Sequence, residues 1–104
     1  MGKRQVQHSA QSVGFLLVPG FALMSYAAAI EPLRAANLIS GKPLYRWGHA
    51  APGGKPVMAS NGLAIIPDVG AGSDRDVDML FVCAGGNPAT FNDRKVFAWL
   101  RKLA

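Results

Sequence analysis

From Val13 to Val18 the chain is apolar with no polar alternation, interrupted only by Gly14, and the run stops at Pro19-Gly20. A half-exposed strand would alternate apolar with polar side chains, so this run predicts a strand buried on both faces, the habit of parallel sheets. Apolar residues then recur at Leu23, Ala27, Ile30, Leu33 and Leu38 with near-helical spacing. They predict a helix up to Ser40, closed by Gly41 in the left-handed conformation that glycine adopts without cost. Pro32 lies inside that helix. It cannot donate a backbone hydrogen bond and it restricts Glu31 before it, so a kink or a restart is expected there, with irregular backbone around Glu31.

Leu44 to Ala50 reads as a second strand with mixed faces, followed by an Ala-Pro-Gly-Gly turn. Pro56 to Ser60 and Leu63 to Ile66 flank Asn61-Gly62, a strong short-range hairpin signal. Asp68 to Asp76 is rich in Gly and Asp and predicts a loop. Met79 to Cys83 is a third buried strand, with a turn from Ala84 through Gly85, Gly86 and Asn87 to Pro88. Phe91 to Ala104 is an amphipathic helix with Val96, Leu100 and Leu103 on one stripe, Phe97 beside it, and Asn92 or Asp93 as its N-cap. Strands alternating with helices predict an α/β fold built on an open, mostly parallel sheet. Such sheets bind ligands outside the carboxyl ends of their strands. Val18-Pro19-Gly20 and the Cys83 to Gly86 stretch are both such ends, which directs Glu31 and the Gly85-Gly86 turn toward one crevice. With only three candidate parallel strands and a final helix with little to cover it, the chain reads as the first half of a larger domain.

Composition narrows the function classes. At 104 residues there is room for one small domain, and half of the residues are hydrophobic, enough for a core. The net charge of +5 comes from basic residues that are scattered or paired, not gathered on one base-reading element, so it describes a solvated surface and not a nucleic-acid interface. The single cysteine, Cys83, excludes an internal disulfide framework and any multi-cysteine zinc site, and suits a reducing, cytoplasmic setting. Residues 1–12 read as a flexible leader: their basic start precedes an apolar run too short for a signal peptide, and the small-residue segment after it is too interrupted to span a bilayer.

Few residues offer chemistry. Gly85-Gly86 after a buried strand can present backbone N–H groups to an anion or oxyanion, although a tight turn requires glycines in any case. Glu31 has the character of a general acid or base or of a ligand contact, or else of an exposed helix acid paired with Arg34 three positions on. Cys83, inside a buried apolar strand, reads as a small hydrophobe and not a nucleophile. His8 falls in the leader, and His49 has a structural or exposed role by default. Tyr45, Trp47 and Trp99 read as core or partly covered surface. No phosphate-binding loop, dinucleotide fingerprint or metal-ligand spacing is present, so neither a cofactor nor a metal is expected.

The stretch VGFLLVPGFALMSYAAAIEPLRAANLISGKPLYRWGHAAPGGKPVMASNGLAI, with EPLRAAN, LYRW and ASNG as its most specific pieces, resembles the N-terminus of AraC-family regulators that carry a PfpI-type, class I glutamine-amidotransferase-like sensor domain. MLFVCAGG and the helix after it continue the resemblance, which covers about residues 13–104. It leans to the branch that regulates catabolism of choline, glycine betaine and carnitine. The resemblance implies an incomplete flavodoxin-like three-layer sandwich, of which residues 13–104 are the N-terminal part. In enzymes of this fold a glutamate after the first strand approaches a cysteine nucleophile, and a Gly-Gly turn helps form the oxyanion pocket. Glu31 matches that glutamate, and Gly85 and Gly86 match that turn. Cys83 does not match the nucleophile, whose turn would lie beyond Ala104. The implied function is ligand sensing without catalysis, for a small effector that includes quaternary amines among its candidates, with DNA bound only through a helix-turn-helix domain absent from this sequence. The alternatives are a fragment of a PfpI-type cysteine hydrolase, with Glu31 as proton-transfer partner, and a remnant with no ligand. An open sheet edge and uncovered apolar surface also predict self-association.

Overall fold

A computed structural model describes residues 10–71, 77–85 and 93–103. In chain order the elements are β1 (Gln11–Leu17), α1 (Leu23–Ser40), β2 (Tyr45–Ala51), a short 3-10 turn at Pro52–Gly54, β3 (Val57–Met58), β4 (Ala64–Ile65), β5 (Val69–Gly70), β6 (Met79–Cys83) and α2 (Arg94–Leu103). The main sheet has the order β5-β2-β1-β6, and its pairings are parallel. β1 is central, which is why its sequence is apolar on both faces. Val13, Phe15 and Leu17 face one side, where α1 contributes Leu23, Tyr26, Ile30 and Leu33. Leu16 faces the other side with Ala50 and meets Val96, Trp99 and Leu100 of α2. Helix, sheet and helix form the three layers of a flavodoxin-like sandwich.

Several boundaries differ from the sequence expectation. β1 begins at Gln11, so its first two residues belong to the sheet and not to a leader. The Gln11 N–H donates to the Leu44 carbonyl at 2.9 Å, and the Ser12 N–H donates to Asp78 Oδ2 at 2.8 Å. These are pairings between segments distant in sequence. Residues 1–9 of the expected leader lie outside the described residues. The sheet gains a fourth parallel strand, β5, inside what reads as a loop. It is only two residues long, and it is fixed by its partners: Ala50 and Ala51 register against Val69 and Gly70. The rest of that loop, 72–76, lies outside the described residues.

α1 runs unbroken through Pro32 where a kink or restart is expected. The carbonyl left without a donor is that of Ala28, and Ala28 and Pro32 are both exposed, so water can serve it. Gly41 caps the helix at φ 68°, its N–H donating to the Asn37 carbonyl at 3.0 Å. The Asn61-Gly62 hairpin forms as expected, pairing Val57 with Ile65 and Met58 with Ala64. Asp93 caps α2, its Oδ1 accepting from the N–H groups of Lys95 and Val96 at 3.0 and 3.1 Å; Asn92 lies outside the described residues. The inner stripe of α2 is Val96, Trp99 and Leu100, while Leu103 is exposed.

Candidate functional site

From β1 the chain moves to β2 on one side and then to β5, before β6 returns to the other side of β1. The connections therefore diverge above the carboxyl ends of β1 and β6, the position at which open parallel sheets form their ligand crevice. Backbone bonds build its walls. The Val18 N–H donates to the Cys83 carbonyl at 3.0 Å, and the Ala22 N–H to the Ala84 carbonyl at 3.3 Å. The β3–β4 hairpin closes a third side: the Gly20 N–H donates to the Met58 carbonyl and the Ser60 N–H to the Phe21 carbonyl, both at 2.8 Å. Phe21, fully buried, pins the turn from below. Gly20 takes φ 83° at the sharpest point of that turn, a conformation that favours glycine.

Gly85 stands at this crevice for a steric reason. A Cβ there would lie 2.8 Å from the Ala22 nitrogen and 3.1 Å from the Gly20 carbonyl oxygen, so the β6 end and the β1–α1 turn touch backbone to backbone. Gly86 lies outside the described residues. α1 starts at this point with Ala22 at its N-cap, no side-chain cap and no acid in its first turn. Its first N–H groups have no acceptor within the helix and face the end of the fold where a ligand would sit.

Glu31 is placed elsewhere. It lies nine positions beyond Ala22, about 13 Å along the helix axis. Its carboxylate is held by Arg34, with Nη2 to Oε2 at 2.8 Å and Nε to Oε1 and Oε2 at 3.1 and 3.0 Å. The Arg34 guanidinium draws the Glu31 carboxyl below the usual glutamate range, as expected for a charge-assisted pair. The structure thus realises the helix-pair alternative for Glu31, and no contact in it joins Glu31 to Gly85 among the described residues.

A polar cluster that the sequence hides lies between α1 and the sheet. Tyr26 Oη and His49 Nε2 are 2.7 Å apart. The Asp68 carboxylate accepts from the His49 N–H at 2.6 Å and lies 3.6 Å from its Nδ1. Phe15 stacks on the His49 ring and meets Tyr26 edge-on, each with centroids 5.6 Å away. Burial, and then the neighbouring Cys83, Glu31 and Asp68, raise the Tyr26 hydroxyl above the ordinary tyrosine value. Burial likewise raises the Cys83 thiol, which suits a packed residue and not a nucleophile. A proton held more tightly in the folded state stabilises it below the unfolded pKa, and that contribution is lost as pH rises through the raised value. Replacing Tyr26 with Phe is expected to lower stability by about 1 kcal/mol at neutral pH, because His49 loses its partner. It should also flatten part of the stability loss above about pH 10, which urea denaturation across alkaline pH will read.

A groove of about 110 Å³ opens on the opposite face of the sheet, beneath Trp99, with Ser12, Arg46 and Val69 on its walls. Its floor is the pair Gly14 and Gly48, in register on adjacent strands. Neither Glu31 nor Gly85 lines it. A Cβ on Gly14 would meet the Leu80 and Val77 side chains at 3.1 Å, so close packing keeps glycine there, and the groove takes no part in the crevice. Among the described residues, no group of three or more His, Cys, Asp or Glu could hold a metal ion, and no helix is long and apolar enough to cross a membrane.

No family model matches the chain. It is 49% identical over 97 residues to the HTH-type transcriptional regulator GlxA of Rhizobium meliloti, covering 92% of this chain and 30% of the regulator. An AraC family transcriptional regulator from Pseudomonas putida superposes with a TM-score of 0.74 at 22% identity, covering 88% of this chain and 57% of the solved one. A ThiJ/PfpI family protein from Pseudomonas syringae gives 0.67 at 22% identity, over 88% and 37%. At that identity the two solved chains speak for the fold alone. The chain spans between 20% and 30% of the length of the curated regulators it matches. The chain is thus similar in sequence to a part of HTH-type transcriptional regulators, and its fold is that of a part of solved AraC family and ThiJ/PfpI family chains.

Proposed function

We propose that this chain is part of the ligand-sensing and dimerising portion of a cytoplasmic AraC-type regulator of small-metabolite catabolism, and that it does no catalysis. The observation that carries the reading is the β1–β6 crevice, where Gly85 meets the turn into an uncapped helix N-terminus. Uncapped first-turn N–H groups and the helix dipole favour a carboxylate, so an amino-acid or betaine type of effector, carboxylate toward α1, suits this wall. A small effector seated there would not reach Glu31, which lies about 13 Å along the helix and is paired with Arg34. The similarity to GlxA supports regulation over hydrolysis. DNA contact would belong to the helix-turn-helix part of a complete regulator. The test is a chimera in which this chain replaces the matching 97 residues of GlxA. Calorimetric titration with glycine betaine, carnitine and basic amino acids should give saturable heat with at least one of them, and Gly85→Ala should remove it. No heat with any of these would sink the amine-effector reading.

A further inference from the structure

β2 is paired along most of its length on one side only. β1 lies against it from Tyr45 to Ala50, whereas β5 covers only Ala50 and Ala51 on the other side. An edge of this kind presents unpaired N–H and C=O groups on which another extended chain can build. In a parallel strand both groups of one residue point to the same side, and the side alternates from residue to residue. The Leu44 carbonyl accepts from Gln11 of β1, so Tyr45, Trp47, His49 and Ala51 turn their backbone groups to the outer edge.

Three of these four positions are already occupied. The Asn37 side chain meets Tyr45 with both ends of its amide: Oδ1 accepts from the Tyr45 N–H at 3.0 Å, and Nδ2 donates to the Tyr45 carbonyl at 2.9 Å. A carboxamide carries the donor and the acceptor of a peptide unit, so it replaces one residue of an absent strand. The Asn37 backbone carbonyl accepts from Gly41 at the helix cap, which anchors the residue. Asp68 treats His49 in the same way. Its backbone N–H donates to the His49 carbonyl at 2.8 Å, and its Oδ2 accepts from the His49 N–H at 2.6 Å. The Ala71 N–H donates to the Ala51 carbonyl at 2.9 Å. Trp47 keeps an outward N–H and carbonyl that meet no partner among the described residues, and it lies between two closed positions.

We propose that Asn37 and Asp68 close the outer edge of the sheet against strand addition. With both in place an incoming chain meets one open rung, and a strand needs several to hold. Removing the Asn37 amide joins Tyr45 to Trp47 and opens two successive outward positions beside the exposed Leu44. Removing the Asp68 carboxylate frees only the His49 N–H, because the carbonyl keeps the Asp68 backbone N–H. Asn37 therefore carries the larger share. Neither residue borders the effector crevice, so this role is independent of the effector reading.

Amide hydrogen exchange on the chain tests the arrangement. The Tyr45 and His49 amides should exchange at least about tenfold more slowly than that of Trp47, which has no acceptor to protect it. Asn37→Ala should erase the protection of Tyr45 and leave that of His49. In thioflavin fluorescence Asn37→Ala should also build intermolecular β-structure several-fold faster than the wild type. Phe15→Leu is the comparison: it weakens the core with both edge residues in place, so it should not gain that speed. The wild-type exchange pattern tests the proposal whether or not Asn37→Ala folds. A Trp47 amide as protected as those of Tyr45 and His49, or Asn37→Ala assembling no faster than Phe15→Leu, would overturn the assignment.

Discussion

Truncating Phe15 to Ala is expected to cost about 3–5 kcal/mol, the range for removing a fully buried aromatic side chain. Phe15 is fully buried at the centre of the central strand. Its ring stacks on Phe81 with centroids 5.4 Å apart and on His49 at 5.6 Å, and Tyr26 of α1 meets it edge-on at 5.6 Å. The one ring therefore joins β1, β2, β6 and α1. The cavity left behind would strip packing from three aromatic neighbours at once, and the Tyr26–His49 hydrogen bond would lose the surface that orients it. Small domains have total stabilities of about 5–15 kcal/mol, so the loss takes a large part of the whole. Urea denaturation of wild type and variant gives the difference. A loss below about 1 kcal/mol would show that this face of the sheet is not the tight core described here. Phe15→Leu, which keeps most of the volume, should cost clearly less.

The same residue shows what the sequence makes legible. A run from Val13 to Val18 without polar alternation has one physical reading, a strand covered on both sides, and the structure covers it with α1 and α2. Helix ends were also readable, since Gly41 and Asp93 act through local backbone chemistry. β5 was not. Val69 and Gly70 carry no pattern of their own and become a strand only because Ala50 and Ala51 offer unpaired backbone groups beside them. Pro32 misled, because its rule concerns a lost hydrogen bond, and the cost depends on whether the orphaned Ala28 carbonyl faces water.

The candidate site divides the same way. Gly85 follows β6, whose apolar run marks a strand end although Met79 and Val82 are exposed and not buried as the run predicts, whereas Glu31 has two readings that spacing does not separate. Its geometry follows the shorter-range one, a bidentate pairing with Arg34 one turn away. The Tyr26–His49–Asp68 cluster had no sequence signal. Tyr26 and His49 are 23 positions apart, and only the docking of α1 on β2 brings them together.

Gly85→Ala should have the next largest effect, and for a reason separable from backbone strain. The added Cβ would sit 2.8 Å from the Ala22 nitrogen, closer than real Cβ atoms approach, and both nearest atoms are backbone rather than a flexible side chain. Something must move. Overpacking of this kind costs about 1–3 kcal/mol. The movement falls on the Ala22 to Ala84 hydrogen bond, which is already long at 3.3 Å and ties β6 to the start of α1. Gly20→Ala is the control. Its φ of 83° disfavours a side chain, yet nothing lies within 4 Å of the new Cβ, so it strains the turn without prising the two walls apart. If the crevice is the effector site, Gly85→Ala should abolish effector heat in the chimera at temperatures where the protein remains folded. Gly20→Ala should lower stability while leaving measurable binding. Equal loss of binding in both variants would mean that turn conformation, and not contact between the walls, shapes the pocket. Wild-type affinity in Gly85→Ala would remove the β1–β6 crevice from the site altogether.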